Sequence, residues 1–196
     1  MTEETTKPQH QIDAIEARLR RVEDRQAIHD VIVRYCRGVD RSDAALVLSA
    51  FHDDAIDNHF GPVLPFREAI GTLKAARSGS PPSKTTSMHN LCNVLIEVDG
   101  DIARCESYVT VIVRIPQEQG RSIDWMHAGR YVDRFERRNG EWRIAHRTVV
   151  YDLERFDEVV PAPEGLAQAR YLDNAVRGKR GLGDFSYEVL RPPGAE

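Results

Sequence analysis

Asp40 closes an apolar helical stripe, a place where a carboxylate needs a chemical reason. The stripe runs Ile28, Val31, Ile32, Tyr35, Cys36 and Val39, and Asp40 follows Cys36 by one turn on the same inward face. A carboxylate turned toward an apolar interior has to be paired, hydrogen-bonded or neutralised. A natural partner lies downstream in Ser-Met-His89-Asn-Leu-Cys-Asn-Val-Leu-Ile, where a histidine opens an apolar, strand-like run. Imidazole titrates near neutral pH, and an acid that holds it in one tautomer makes it a general base. The competing reading makes Asp40 the cap of the helix beginning near Ser42, and His89 a strand-end residue with its ring bonds satisfied.

Other residues invite weaker chemistry. Trp125 and His127 share a parity on a later strand and are expected to line an apolar pocket. Asn93, on the strand of His89, is a further candidate substrate contact. Arg147 and His146 are rivals for the interior, because they lie on opposite faces of their strand and a bulge would exchange them. His52, Asp53, Asp54, Asp57 and His59 lack the spacing of a helical histidine pair and run across a predicted helix end, so they read as solvated capping residues rather than a metal site. Gly181-Leu-Gly183 lacks the strand–helix context of a phosphate loop. No metal and no organic cofactor is expected.

The elements that must position these groups follow from periodicity. Residues 1–9 read as a disordered lead and Ile12–Val39 as helix, kinked or capped near Asp24. A second helix follows Ser42 or Asp43, with Ala45, Leu46, Leu48 and Phe51 inward, and ends at His52-Asp53-Asp54. Ala55–Phe60 is a short strand, and Phe66–Arg77 a third helix led by Pro65. The period then changes to two. Strands are expected over Met88–Val98, Ile102–Ile115, Ile123–Arg137 and Trp142–Leu153, with tight turns at Asp99-Gly100-Asp101 and Asn139-Gly140. Helices followed by an antiparallel meander make an α+β domain over residues 10–153: a cone of N-terminal helices on a strongly curved, mostly antiparallel sheet, with a ligand site inside. Residues 154–196, with a helix over Glu164–Arg177, form an extension expected to act as a lid or an inter-subunit arm.

Composition narrows the class. A chain of 196 residues with 41% hydrophobic and 30% charged residues supports one packed domain with an extension. A net charge of -4 without a basic run disfavours nucleic acid. The three cysteines, Cys36, Cys92 and Cys105, fit neither a zinc nor a disulfide pattern, and no stretch is long and apolar enough to span a membrane. A cytoplasmic protein is expected.

Several runs carry a resemblance. Arg25-Gln-Ala-Ile-His-Asp-Val-Ile-Val-Arg-Tyr-Cys-Arg-Gly-Val-Asp40 resembles the first helix of SnoaL-like proteins, in the nuclear transport factor 2-like (cystatin-like cone) superfamily. Phe51-His-Asp-Asp-Ala55 resembles the end of the second helix there. His89–Tyr108 resembles the first long hairpin, and Gly129–Ile144 with Arg147 the last. The similarity runs in order from about Leu19 to Asp152 and implies the cone fold.

For function the resemblance implies dehydratases, dehydrochlorinases, isomerases, polyketide cyclases or non-catalytic oxygenase subunits. Asp40 and His89 fall on the dyad positions of scytalone dehydratase-like and hexachlorocyclohexane dehydrochlorinase-like enzymes. Tyr35 resembles a tyrosine of bile acid dehydratases, which would donate to a substrate carbonyl, and Arg147 falls on a pocket arginine of the dehydrochlorinases. Where some dehydratases carry a further His or Asp on the second long strand, Val111-Ile-Val-Arg114 offers only Arg114. The expected function is a cofactor-independent lyase acting on a small hydrophobic cyclic carbonyl or hydroxy substrate. An isomerase or cyclase using the same base, or a non-catalytic cone subunit or binding protein, is the alternative. A homo-oligomer is expected, with a trimer favoured over a dimer.

Overall fold

Two tight turns fold the second half of the chain back on itself. The computed structural model describes residues 6–59, 63–68, 85–160 and 175–190. Strand β3 (Thr86–Asp99) returns as β4 (Ile102–Pro116) through Gly100 at φ 59°, and β5 (Ser122–Arg138) returns as β6 (Glu141–Val159) through Asn139 and Gly140 at φ 54° and 81°. Asn139-Gly140 has the positive φ at both central residues of a type I′ turn, and Gly100 the positive φ at the first central residue that a type II′ turn takes; both types match the native twist. Between the hairpins, Gln119 and Gly120 reverse the chain at φ 57° and 74°.

The strands add to a six-stranded sheet in the order β2-β1-β6-β5-β4-β3. Strand β1 (Phe51–Asn58) pairs parallel with β6 and antiparallel with the two-residue β2 (Leu64–Pro65); every other pairing is antiparallel. Three bulges interrupt the antiparallel pairings. Cys92 and Asn93 together oppose Tyr108, and Ala145 and Asp152 are each an extra residue in β6. Gly129 sits at the last of these, where a β-carbon would lie 2.0 Å from the Val150 carbonyl oxygen, so only glycine lets β6 cross there.

Helix α1 (Thr6–Arg41) fills the concave face. Ile28, Val31, Ile32, Tyr35 and Cys36 are buried, and they pack into one core with Phe51, Val109, Val111, Tyr131, Phe135 and Ile144. Burying each such side chain contributes about 1.5–3 kcal/mol. Helix α2 (Ala44–Ser49) is capped by Asp43, whose Oδ1 accepts the N–H of Ala45 and of Leu46, each at 3.1 Å.

Several expectations change. Helix α1 begins at Thr6, within the stretch read as a disordered lead, and continues through Asp24 without a break. The Asp24 carboxylate accepts Trp142 Nε1–H and Arg137 Nη1–H at 2.8 Å each, so it fastens the helix to the closed end of the sheet instead of ending a helix. His52-Asp53-Asp54 lie in strand β1 and not at a helix end, at the register shift between its rungs with β6 at Phe51 and at Ile56. Phe51 opens that strand and stacks on Phe66, with centroids 3.5 Å apart. Pro65 closes β2, and Phe66–Glu68 is helical; residues 69–77 of the expected third helix lie outside the described residues. So does the expected helix from 164 to 174, and Ala175–Arg177 at its end is not helical.

Candidate active site

Asp40 and His89 meet. The carboxylate, at the last turn of α1, reaches the first rungs of β3, where Oδ1 lies 2.6 Å from His89 Nδ1 and Oδ2 accepts the His89 backbone N–H at 2.9 Å. Both side chains are nearly enclosed, at 13% and 9% exposure. A carboxylate only accepts, so Nδ1 carries a proton and Nε2 of the neutral ring presents its lone pair. Two bonds to one carboxylate fix the ring's tautomer and its position together.

The helix end that carries Asp40 is itself built to stay in place. Ser42 adopts φ 54°, with its N–H on Val39 O at 3.2 Å and the Asp43 N–H on Gly38 O at 2.8 Å. That pair of bonds is a Schellman stop with serine in the left-handed position that glycine usually takes. Arg180 offsets the cost from the C-terminal extension. Its Nε donates to Ser42 Oγ at 2.6 Å, Nη2 to Val39 O at 3.3 Å, and Nη1 to Thr85 O at 2.8 Å. One guanidinium thereby ties the backbone before Asp40 to the backbone leading into β3. Helix α3 (Phe185–Val189) continues the clasp: Tyr187 O–H donates to Asp43 Oδ2 at 2.7 Å, and Arg37 lies 4.6 Å from its ring centroid.

Across the sheet, His89, Val111, His127 and Glu154 occupy one rung, and Ser87, Val113, Trp125 and Phe156 the next. The His127 ring lies between Trp125, at 4.6 Å, and Tyr151, at 5.5 Å. Trp125 Nε1 and His127 Nδ1 are buried, and neither has a hydrogen-bond partner among the described residues. A cleft of about 370 Å³ opens beside Trp125, lined also by Tyr151, Asp152, Leu153 and Glu154; Asp40, His89 and His127 do not line it. Two unmatched polar atoms next to an aromatic wall suit the oxygen of a flat, mostly apolar molecule.

Burial lowers the pKa of His127 from 6.5, and His89 and His59 push it the same way against Glu154. It is therefore a neutral ring at pH 7. The unfolded chain takes this proton first, so this group's contribution is full above pH 6.5 and shrinks as pH falls below it. Urea unfolding of the wild type between pH 7 and pH 5 is expected to lose stability with a slope that His127→Phe reduces. An unchanged slope would remove His127 from this account.

The remaining predicted residues are placed elsewhere. Arg147 faces inward, but three rungs deeper than His89, and is fully buried. Its Nε and Nη2 donate to the two Asp133 oxygens at 2.8 and 2.7 Å, and its guanidinium lies 4.0 Å from the Tyr131 ring and 4.3 Å from the Tyr35 ring. Tyr35 packs edge-on against Phe51 and Tyr131 in the same cluster, where burial drives its phenol pKa upward. Tyr35 and Arg147 thus form the floor under the Asp40–His89 pair; Arg147 commits Nε and Nη2 to a protein carboxylate, and its buried Nη1 has no hydrogen-bond partner among the described residues. His146 lies on the outer face, lining a cleft of about 350 Å³ with Leu95, Arg104, Val132 and Thr148, because the Ala145 bulge turns it out as it turns Arg147 in. Asn93 is exposed on the β3 bulge, away from the dyad.

Burial pushes the thiols of Cys36 and Cys105 up to about 12, which removes them as nucleophiles at neutral pH. His52 is buried and its Nε2 lies 2.9 Å from Glu136 O; Asp54 pairs with Arg138 at 2.6 Å, and Asp53 with Arg67 at 2.5 Å. Among the described residues, no group of three or more His, Cys, Asp or Glu side chains is arranged to hold a metal ion, and no helix is long and apolar enough to cross a membrane.

A long helix in the hollow of a curled mixed sheet, with an Asp–His pair inside, defines an α+β cone of the cystatin-like, nuclear transport factor 2-like type. The chain belongs to the SnoaL-like domain family, whose profile matches residues 20–148. A type 2 hexachlorocyclohexane dehydrochlorinase (LinA) is similar in structure, with a TM-score of 0.59 and 25% identity over 76% of this chain and 99% of that one. A protein assigned as a scytalone dehydratase from Novosphingobium aromaticivorans has a TM-score of 0.59 at 21% identity, over 75% of this chain and 97% of its own. A cystatin-like protein of unknown function from Nostoc punctiforme has a TM-score of 0.51 at 22% identity, over 66% and 91%. No curated protein sequence matches the chain.

Proposed function

We propose that the protein is a cofactor-independent lyase that removes water, or HX, from a compact, largely apolar cyclic carbonyl or hydroxy compound. The observation that carries this reading is the doubly bonded Asp40–His89 pair. His89 Nε2 takes a proton from the carbon beside the carbonyl. The C–H electron pair becomes the new C=C bond, the carbon–oxygen bond breaks, and the departing hydroxide takes the proton from the imidazolium and leaves as water. Asp40 faces the positive charge that appears on the ring during the transfer. Trp125 Nε1–H and the neutral His127 ring hold the substrate oxygen where negative charge develops. Tyr35 and Arg147 keep the floor rigid. The dehydrochlorinase and dehydratase neighbours support this class of reaction on this fold, and an isomerase would share its first step.

A panel of cyclic β-hydroxy ketones and simple cyclic ketones in D2O tests the proposal. Elimination, or deuterium uptake at the α-carbon, is expected with the wild type and not with His89→Ala. Equal rates from the two proteins across the panel would reject a base at His89.

A further inference from the structure

The first half of α1 carries an apolar seam turned away from its own domain. Ile12, Ile15, Leu19 and Val22 are 48, 62, 54 and 63% exposed. The sequence predicts a kink or cap near Asp24 between these four and the stripe that follows, but the helix runs straight through. At ~100° per residue their centre lies roughly 150° around the helix from the buried stripe of Ile28 to Cys36. Single exposed apolar residues need no account, but four in a row on one face do. Their spacing of three, four and three is that of positions a and d over two heptads, narrower than the stripe of a helix laid on a globular core.

We propose that this seam binds further copies of this chain, as a parallel three-stranded bundle of α1 arms about a three-fold axis. Charge sets the direction. With Ile12 and Leu19 at a, the flanking g positions are Gln11 and Arg18 and the e positions Glu16 and Glu23, all exposed. In a parallel bundle each g meets the following e of the neighbouring copy, so Arg18 faces Glu23 and Gln11 faces Glu16. An antiparallel bundle would set glutamate against glutamate and arginine against arginine. Residue shape sets the number of strands: Ile15 and Val22 place β-branched side chains at d, which favours three or more strands over two.

Two heptads are too short to nucleate a free helix. Here the same helix is already held by Ile28–Cys36 on the sheet and by Asp24 on Arg137 and Trp142, so nothing has to be nucleated. The domains hang on the side of each helix opposite the seam, which leaves the axis clear. This interface goes beyond the proposed activity and stands or falls without it.

Sedimentation equilibrium over a concentration series tests the seam, with far-UV circular dichroism as the folding control. The wild type is expected as three chains per particle, and Ile15→Glu/Leu19→Glu as one. Arg18→Glu is expected to weaken the trimer about ten-fold, and Arg18→Glu/Glu23→Arg to restore it. A wild type of any other stoichiometry overturns the proposal. So does a trimer that Ile15→Glu/Leu19→Glu leaves intact, or a charge reversal that Glu23→Arg does not rescue.

Discussion

His89→Ala is expected to lower turnover by ~10²–10⁴-fold, the usual contribution of a positioned proton-transfer group. Asp40→Asn is expected to lose a large part of the same factor with the fold retained. The reason is a count of acceptors. The Asp40 carboxylate accepts both the His89 N–H and Nδ1–H, whereas an amide has one acceptor oxygen and one donor group. If the Asn oxygen keeps the backbone N–H, its NH2 faces Nδ1 and favours the tautomer with the proton on Nε2. The ring then has no lone pair for the substrate. Because proton abstraction belongs to the transition state, kcat and kcat/KM should fall together. Steady-state kinetics on a substrate found by the panel, with circular dichroism as control, measures this. Retention of activity within a few-fold by both variants would leave the pair as a structural bond only.

The fold was legible where its causes are local. Asn139-Gly140 and Gly100 reveal the two hairpins because positive φ is written in residue type. The Asp40–His89 contact was legible because an acid at the end of an apolar stripe and a histidine opening an apolar strand are each out of pattern. Bulges are decided by pairing between strands, and no property of Ala145, or of Cys92 and Asn93, announces them. Each one exchanges the two faces of its strand, which is why His146 and Arg147 could not be ordered and why Asn93 was taken as a substrate contact. Asp133 is a signal that was overlooked: it shares a parity with Tyr131 and Phe135, so an acid stood on an apolar face there as Asp40 does on the helix. The second half of strand β1 was legible as the short strand from Ala55, whereas its first half was read as a helix end because His52-Asp53-Asp54 are poor strand formers. The Arg180 clasp joins positions far apart in the chain, and no local pattern predicts it.

Breaking the buried Asp133–Arg147 pair is expected to be the largest single loss of stability in the molecule. Both side chains are fully buried, and the guanidinium packs within 5.5 Å of the centroids of three rings, Tyr35, Phe51 and Tyr131. Burial pushes the Asp133 carboxyl upward, and the arginine fork at 2.7 and 2.8 Å opposes that shift. Asp133→Asn or Arg147→Met leaves one charge in the core without its partner and should cost ~3–5 kcal/mol in urea unfolding at unchanged m. Removing both charges together is a different experiment, because a well-packed apolar pair costs no desolvation. Asp133→Leu/Arg147→Met should recover most of the lost stability, with a coupling energy far above additivity. The same double variant separates the two roles open to Arg147. If its task is to hold the floor under Tyr35, a refolded double variant keeps turnover; if the guanidinium also meets substrate, turnover falls although stability has returned.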